Sequence, residues 1–204
     1  MRVLTWWEVV TPLTKPELRT ALLRARRAIP QESRDAESEA LCRWLPGLVG
    51  PGQTVCAYVP VGSEPGSPAL LDRLLELGAR VLLPIARNDT DGVPLPLRWA
   101  EYQPGSLQPA GFGLREPRPP YLPAETVSEA AVILVPALAV DRSGARLGRG
   151  AGFYDRTLSA AAGAKLIAVV RDDELLDELP AEPHDIRMTH VMTPTGGIAP
   201  LAWE

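Results

Sequence analysis

Apolar residues at the start of the chain recur at helical spacing. In TKPELRTALLRARRAI (14–29), Leu18, Leu22, Ala25 and Ile29 line up as one stripe. Thr14 and Glu17 form a capping-box pair, and Pro16 falls in a first turn where its missing N–H costs nothing. Lys15, Arg19 and Arg26 form a basic stripe beside the apolar one. A second helix is expected over 33–45, with Ala40, Leu41, Trp44, Leu45 and then Leu48 on its inner face. The period then changes. TVCAYVP (54–60) reads as a buried strand that ends in the loop VGSEPGS. SPALLDRLLELG (67–78) reads as a helix with Ser67 as N-cap, Pro68 at the first position and Gly78 at its C-terminal end. RVLLPIA (80–86) is the next strand, and this alternation implies a parallel sheet with right-handed crossovers.

From Pro84 to Pro123 the pattern breaks down: nine prolines and the GFG at 111–113 leave 95–102 as the one strand-like piece. The stretch reads as an irregular excursion with a short hairpin, and ordered loops of this length are usually functional. AAVILVPALAVD (130–141) is the strongest strand, apolar on both faces and therefore central. A glycine loop follows it, then a helix over 153–162, a strand over 165–170, a short helix over 172–179 and a last strand over 188–194. The expected fold is an open, mainly parallel, Rossmann-like α/β sheet with helices on both faces and a Pro/Gly-rich hairpin excursion. Residues 14–204 are expected to form a single domain behind an N-terminal tail, 1–13.

Composition narrows the function classes. A net charge of −4 argues against a broad nucleic-acid footprint, so any anion site must be local. Two cysteines, Cys42 and Cys56, lie far apart with only two histidines in the chain, which supports buried thiols rather than a zinc site. No apolar run reaches the ~20 residues that span a bilayer. MRVLTWWEVV carries Glu8 within its apolar stretch and makes a poor signal peptide, and Trp6 and Trp7 read as part of a loosely docked tail. A cytoplasmic protein is expected.

The candidate chemistry is concentrated in ARLGRGAGFYDR (145–156). A central strand, a glycine loop and a helix start form an anion cradle at the carboxyl end of an α/β sheet. Gly148, Gly150 and Gly152 permit close backbone approach, and Arg146 and Arg149 repel one another unless an anion lies between them. The lysine and hydroxyl of a P-loop are missing. A dinucleotide loop requires G-x-G-x-x-G rather than G-x-G-x-G. Asp172 or Asp173, about 20 residues on, nevertheless keeps a ribose-binding alternative open. Asp155 is repulsive to a polyphosphate unless a divalent cation lies between them. Mg²⁺ is held by one or two carboxylates plus phosphate oxygens, and Asp185 in PHDIRM is the second candidate.

Taken together, KPELR, SEPGS, GFGLREP and RLGRGAGFYDR resemble the 5-formyltetrahydrofolate cyclo-ligase family, in order from Lys15 to Pro194. The resemblance implies an ATP- and Mg²⁺-dependent enzyme that converts 5-formyltetrahydrofolate into 5,10-methenyltetrahydrofolate. The formyl oxygen takes the γ-phosphoryl group, N10 closes the ring and phosphate leaves. It further implies that Lys15 and Arg19 bind ATP phosphates. Arg146, Leu147, Gly148, Arg149, Gly150, Ala151, Gly152, Phe153 and Tyr154 would form the phosphate loop. Arg146, Arg149 and Tyr154 would act in catalysis, with Arg149 and Tyr154 also touching the folate. Glu64 would hydrogen-bond the pterin, Phe112 would line the folate pocket, and Asp155 and Asp185 would hold Mg²⁺. The implied partners are the folate and ATP, with no nucleic acid, no membrane and a monomeric chain. Ala151, Phe153 and His190 depart from the family pattern, where glycine or lysine, tyrosine and an acid are usual.

Overall fold

The computed structural model describes residues 13–182 and 185–202, without the side chain of Phe112. The readings placed on Trp6, Trp7 and most of the tail therefore lie outside the described residues. The chain opens with helices α1 (Lys15–Ala28) and α2 (Gln31–Arg43), then β1 (Thr54–Cys56), α3 (Pro68–Glu76), β2 (Arg80–Ile85) and β3 (Arg98–Glu101). β4 (Gln108–Pro109) and β5 (Arg115–Glu116) form the hairpin of the proline-rich excursion, around a 3₁₀ turn at Gly111–Gly113. After a second 3₁₀ helix at Ala124–Glu129 come β6 (Ala130–Pro136), β7 (Ala139–Asp141), β8 (Arg146–Leu147), α4 (Phe153–Leu158) and β9 (Lys165–Val169). β10 (Leu175–Leu176), β11 (His190–Thr193) and β12 (Gly197–Pro200) complete the described chain.

Seven strands form the main sheet in the order β12-β11-β9-β6-β1-β2-β3. The five inner strands are parallel, and β12 and β3 run antiparallel at the edges. β6 is central, as its continuous apolar run requires. Its side chains alternate between two cores: Val132 and Leu134 pack on the side of α2 and α3, while Ile133 and Val135 pack on the other. Val81 and Leu83 against Leu82, and Ile167 and Val169 against Ala168, repeat the division in β2 and β9. Strands covered on both faces have no room for a polar alternation. Leu41, Leu45, Leu70, Leu71 and Leu74 close the first core, and Trp99, Val127 and Leu158 stand in the second.

Several local expectations are corrected. The run 130–141 does not stay in the main sheet: it ends at Pro136, and β7 pairs with β8 and β10 in a separate three-stranded sheet. Leu18, Leu22 and Leu23 of α1 pack on that small sheet. The helix expected over 172–179 is a single 3₁₀ turn at Asp172–Glu174 that leads into β10. α4 stops at Leu158 rather than Ala162, and β12 follows the strand expected to be last. Trp44 is not an inner-face residue. It is 41% exposed, donates from Nε1 to the Pro194 carbonyl at 3.0 Å and lies against Gly197.

Arg26 departs furthest from its sequence reading. It is 1% exposed and stands apart from Lys15 and Arg19, with which the spacing predicts a basic stripe. Its guanidinium forms two bonds to Glu174, at 2.6 and 2.7 Å, and a third to the Ala137 carbonyl at 2.6 Å. A buried guanidinium is tolerable only when paired and hydrogen-bonded in this way.

Candidate active site

The glycine loop is reached through a tight hairpin. Asp141 closes it: Oδ1 accepts from Ser143 N–H, Ser143 hydroxyl and Ala145 N–H, and Oδ2 accepts from Leu179 N–H. β8 then delivers the loop to the carboxyl end of β6, where α/β sheets place ligands. A cavity of about 710 Å³ opens there. It is lined by Lys15 and Arg19 of α1, by Tyr58 and Glu64 beyond β1, by the whole loop 146–155, and by Asp185. This volume falls within the range typical of small-molecule sites.

Gly148 and Gly152 make room for arginine side chains, and Gly150 lies in ordinary contact with a third. A Cβ on Gly148 would lie 3.2 Å from Arg146 Nη1, and one on Gly150 would lie 3.5 Å from the Arg19 guanidinium carbon. One on Gly152 would meet Arg156 Nη1 at 2.5 Å. Gly150 and Gly152 also have φ of +99° and +78°, where any side chain is strained. Arg19 Nε donates to the Gly148 carbonyl at 2.9 Å, so α1 itself braces the loop. Arg156, which the sequence reading left aside, donates to the Gly152 carbonyl at 3.1 Å.

The charges around the cavity are paired across elements. Arg146, whose side chain is 6% exposed, bonds Asp155 at 2.6 Å and lies 5.6 Å from the centre of the Tyr154 ring. Its buried Nε has no hydrogen-bond partner among the described residues. Lys15 Nζ bonds Asp185 at 2.9 Å and Glu182 at 3.0 Å. Burial pulls its pKa down, but the two carboxylates prevail and hold the ammonium above its usual range. Arg149 Nε lies 3.0 Å from Glu64 Oε1 and its Nη2 donates to the Val61 carbonyl at 3.3 Å. Glu64 Oε2 accepts from Val61 N–H at 2.9 Å. Desolvation pushes the Glu64 carboxyl up, against the pull of Arg149 and that N–H. Desolvation also pushes the Tyr154 phenol far up, so it remains a neutral hydroxyl at physiological pH.

Of the residues singled out from sequence, Lys15, Arg19, Glu64, Arg146 through Asp155, and Asp185 all line this one cavity. Leu147 is almost wholly buried and packs beneath α1. Phe153 is half-buried against the second core, and Ala151 is exposed. Phe112 sits in the 3₁₀ turn next to Leu114, which also lines the cavity, but its side chain lies outside the described residues. Asn88 and Arg115 are lining residues that sequence reasoning missed. Asn88 was findable in principle, since it follows the carboxyl end of β2. Asp172 is not in the cavity. Its Oδ1 accepts from the Thr193 and Thr195 hydroxyls, both at 2.6 Å, and from Gly196 N–H at 3.2 Å, so it caps the β11–β12 turn.

A family model described as the 5-formyltetrahydrofolate cyclo-ligase family matches residues 12–194. The chain belongs to that family, whose members are ligases. It is 72% identical over 193 residues to a 5-formyltetrahydrofolate cyclo-ligase of Mycolicibacterium smegmatis, covering 94% of this chain and 100% of the relative. The enzyme of the same name from Escherichia coli is 30% identical over 177 residues, covering 84% of this chain and 95% of the relative. Among solved structures, Aquifex aeolicus 5,10-methenyltetrahydrofolate synthetase superposes with a TM-score of 0.75 at 26% identity, covering 94% of this chain and 95% of that one. The fold is therefore similar to that of the Aquifex aeolicus protein over nearly its whole length. No helix among the described residues is long and apolar enough to cross a membrane.

Proposed function

We propose that this cyclo-ligase family member uses ATP and Mg²⁺ to convert 5-formyltetrahydrofolate into 5,10-methenyltetrahydrofolate in the cavity at the carboxyl end of β6. The carrying observation is the convergence of cations from α1 and from the glycine loop on one cavity that also holds the carboxylates of Glu64, Asp155, Glu182 and Asp185. Phosphoryl transfer leaves a protein mainly positioning and charge stabilisation to perform, and these residues supply both. Lys15, Arg19 and Arg146 take the polyphosphate, and the loop N–H groups add their dipoles. Arg149, at the seam between loop and Glu64, faces the transferring group, while Glu64 accepts hydrogen bonds from the pterin. The γ-phosphoryl group passes from ATP to the formyl oxygen with ADP as leaving group, N10 attacks the activated carbon and gives up its proton, and phosphate leaves as the ring closes. Tyr154, held neutral, presents a hydroxyl donor beside Arg146.

Asp155 and Asp185 offer hard carboxylate oxygens on the same cavity, the donor type that Mg²⁺ selects. When bound, the ion neutralises phosphate charge during transfer. No group of three or more His, Cys, Asp or Glu capable of holding a metal occurs among the described residues, so phosphate oxygens and water would complete the shell. Each carboxylate is paired with a cation assigned to the phosphates: Asp155 with Arg146, and Asp185 with Lys15. Nucleotide binding would then exchange partners: Arg146 and Lys15 would turn to phosphate, leaving Asp155 and Asp185 to hold the metal.

The test is ATP-dependent appearance of the methenyl chromophore from 5-formyltetrahydrofolate, followed by absorbance with and without Mg²⁺. Binding of both ligands without chromophore would instead make the chain a binder without turnover. The dinucleotide alternative finds no support at either ribose-acid candidate, because neither Asp172 nor Asp173 lines the cavity and Asp172 is occupied in the turn it caps.

A further inference from the structure

Four charged side chains outside the cavity form a cluster that reaches its folate side. Arg171 is 3% exposed and its guanidinium spans three elements. Nε donates to Glu37 of α2 at 2.8 Å, and Nη1 donates to the Ser63 carbonyl at 3.0 Å and lies 3.7 Å from Glu174 Oε1. Glu174, equally buried, accepts the Arg171 backbone N–H at 2.8 Å and the two bonds from Arg26. Two cations and two anions leave the cluster neutral, which is the condition for burying it.

The Ser63 carbonyl is the informative contact. A peptide unit is planar, so fixing that C=O also fixes the nitrogen and Cα of residue 64. The turn is closed on its other side, where Glu64 N–H donates to the Val61 carbonyl at 3.2 Å. Arg171 thus anchors from a distance the backbone of the turn whose Glu64 side chain faces the cavity, while Arg149 holds the same turn at the Val61 carbonyl and at the Glu64 carboxylate. Through Glu174 and Arg26 the same anchor extends to the Ala137 carbonyl, one residue past the end of the central strand. A lysine carries all its N–H donors on one nitrogen, so it cannot place donors at the two separate positions from which Nε and Nη1 reach Glu37 and Ser63.

We propose that Arg171 is a positioning residue for folate binding: by holding the Ser63 carbonyl it sets where the Glu64 carboxylate stands. This rests on the reading that Glu64 contacts the folate. The experiment is a steady-state double-mutant cycle with Arg171→Lys and Glu64→Gln, following the methenyl chromophore with ATP and Mg²⁺ present. Arg171→Lys should raise the folate KM about 10-fold and move the nucleotide KM by less than about 2-fold. In the Glu64→Gln background it should add almost nothing, because the group it positions is already disabled. A purely structural role would raise both KM values alike, or add its full effect on top of Glu64→Gln, and either result overturns the proposal. A Glu64→Gln enzyme with normal folate KM would overturn the reading of Glu64 and this proposal with it. A Glu64 effect with an independent Arg171 effect overturns the proposal alone. If Arg171→Lys fails to fold, Glu37→Gln carries the same cycle, with a rise in folate KM of about 3-fold expected and an unchanged or additive one overturning the proposal.

Discussion

Asp155→Asn separates a metal ligand from a mere partner of Arg146. The substitution keeps volume and one acceptor oxygen and removes the charge. In the ligand-free chain it breaks an ion pair whose members are 6% and 34% exposed. With one partner this open to solvent, the loss is about 1 kcal/mol, or about 2–4 °C in Tm for a chain of this size. For metal-free nucleotide the sign reverses. A carboxylate about 5 Å from a phosphate charge repels it by about 3 kcal/mol at an effective dielectric constant near 20. Screening at an open cleft leaves about 1 kcal/mol of that, so nucleotide should bind roughly five-fold more tightly without Mg²⁺. Arg146, released from its partner, adds to this effect. Turnover should fall by ~10²-fold or more, about 2.7 kcal/mol, as when electrostatic stabilisation of a transferring group is removed. The assay is a pair of calorimetric nucleotide titrations, with and without Mg²⁺, alongside the chromophore rate. A variant with near-parental kcat at ordinary Mg²⁺, or with weakened metal-free binding, would refute the assignment and leave Asp155 as the partner of Arg146.

Arg19→Ala should raise the nucleotide KM strongly and also cost about 1 kcal/mol in a denaturant melt, because Arg19 braces the Gly148 carbonyl; unchanged kinetics would return it to a structural brace. Arg149→Lys should lower kcat far more than it raises KM, and Arg146→Lys should act mainly on nucleotide KM, in steady-state kinetics. Equal effects on KM alone would end that division. Glu64 titrates above its ordinary 4.5 because burial disfavours the carboxylate, so the folded state holds the proton longer than the unfolded one. Its contribution to stability is therefore fullest below that value and is lost as pH rises through the raised pKa. Denaturant melts of Glu64→Gln across that window should show a shallower decline with pH than the parent. An identical slope in both proteins would show that Glu64 is not the titrating group.

The sequence by itself determined the sheet and the loop. Apolar runs at 80–86, 130–141 and 165–170 point to strands covered on both faces, and the intervening helical period to parallel crossovers, although the end of the central strand at Pro136 is not legible. The G-x-G-x-G loop with its arginines, and the segments matching the cyclo-ligase family, were equally legible, because each is a contiguous pattern. What a cation pairs with is not contiguous. Arg19 and Arg26 lie seven residues apart on one helix, yet one reaches the cavity and the other is buried. The difference rests on Glu174, 148 positions away from Arg26. Asp172 looked like a ribose acid until the β11–β12 turn supplied its donors. Two of the glycines, Gly148 and Gly152, read as space for a ligand, also give space to Arg146 and Arg156. Periodicity reports which side of an element is apolar, since that is a local property of a helix or strand. Which charge satisfies which depends on contacts between distant segments, and only tertiary packing brings those within hydrogen-bonding reach.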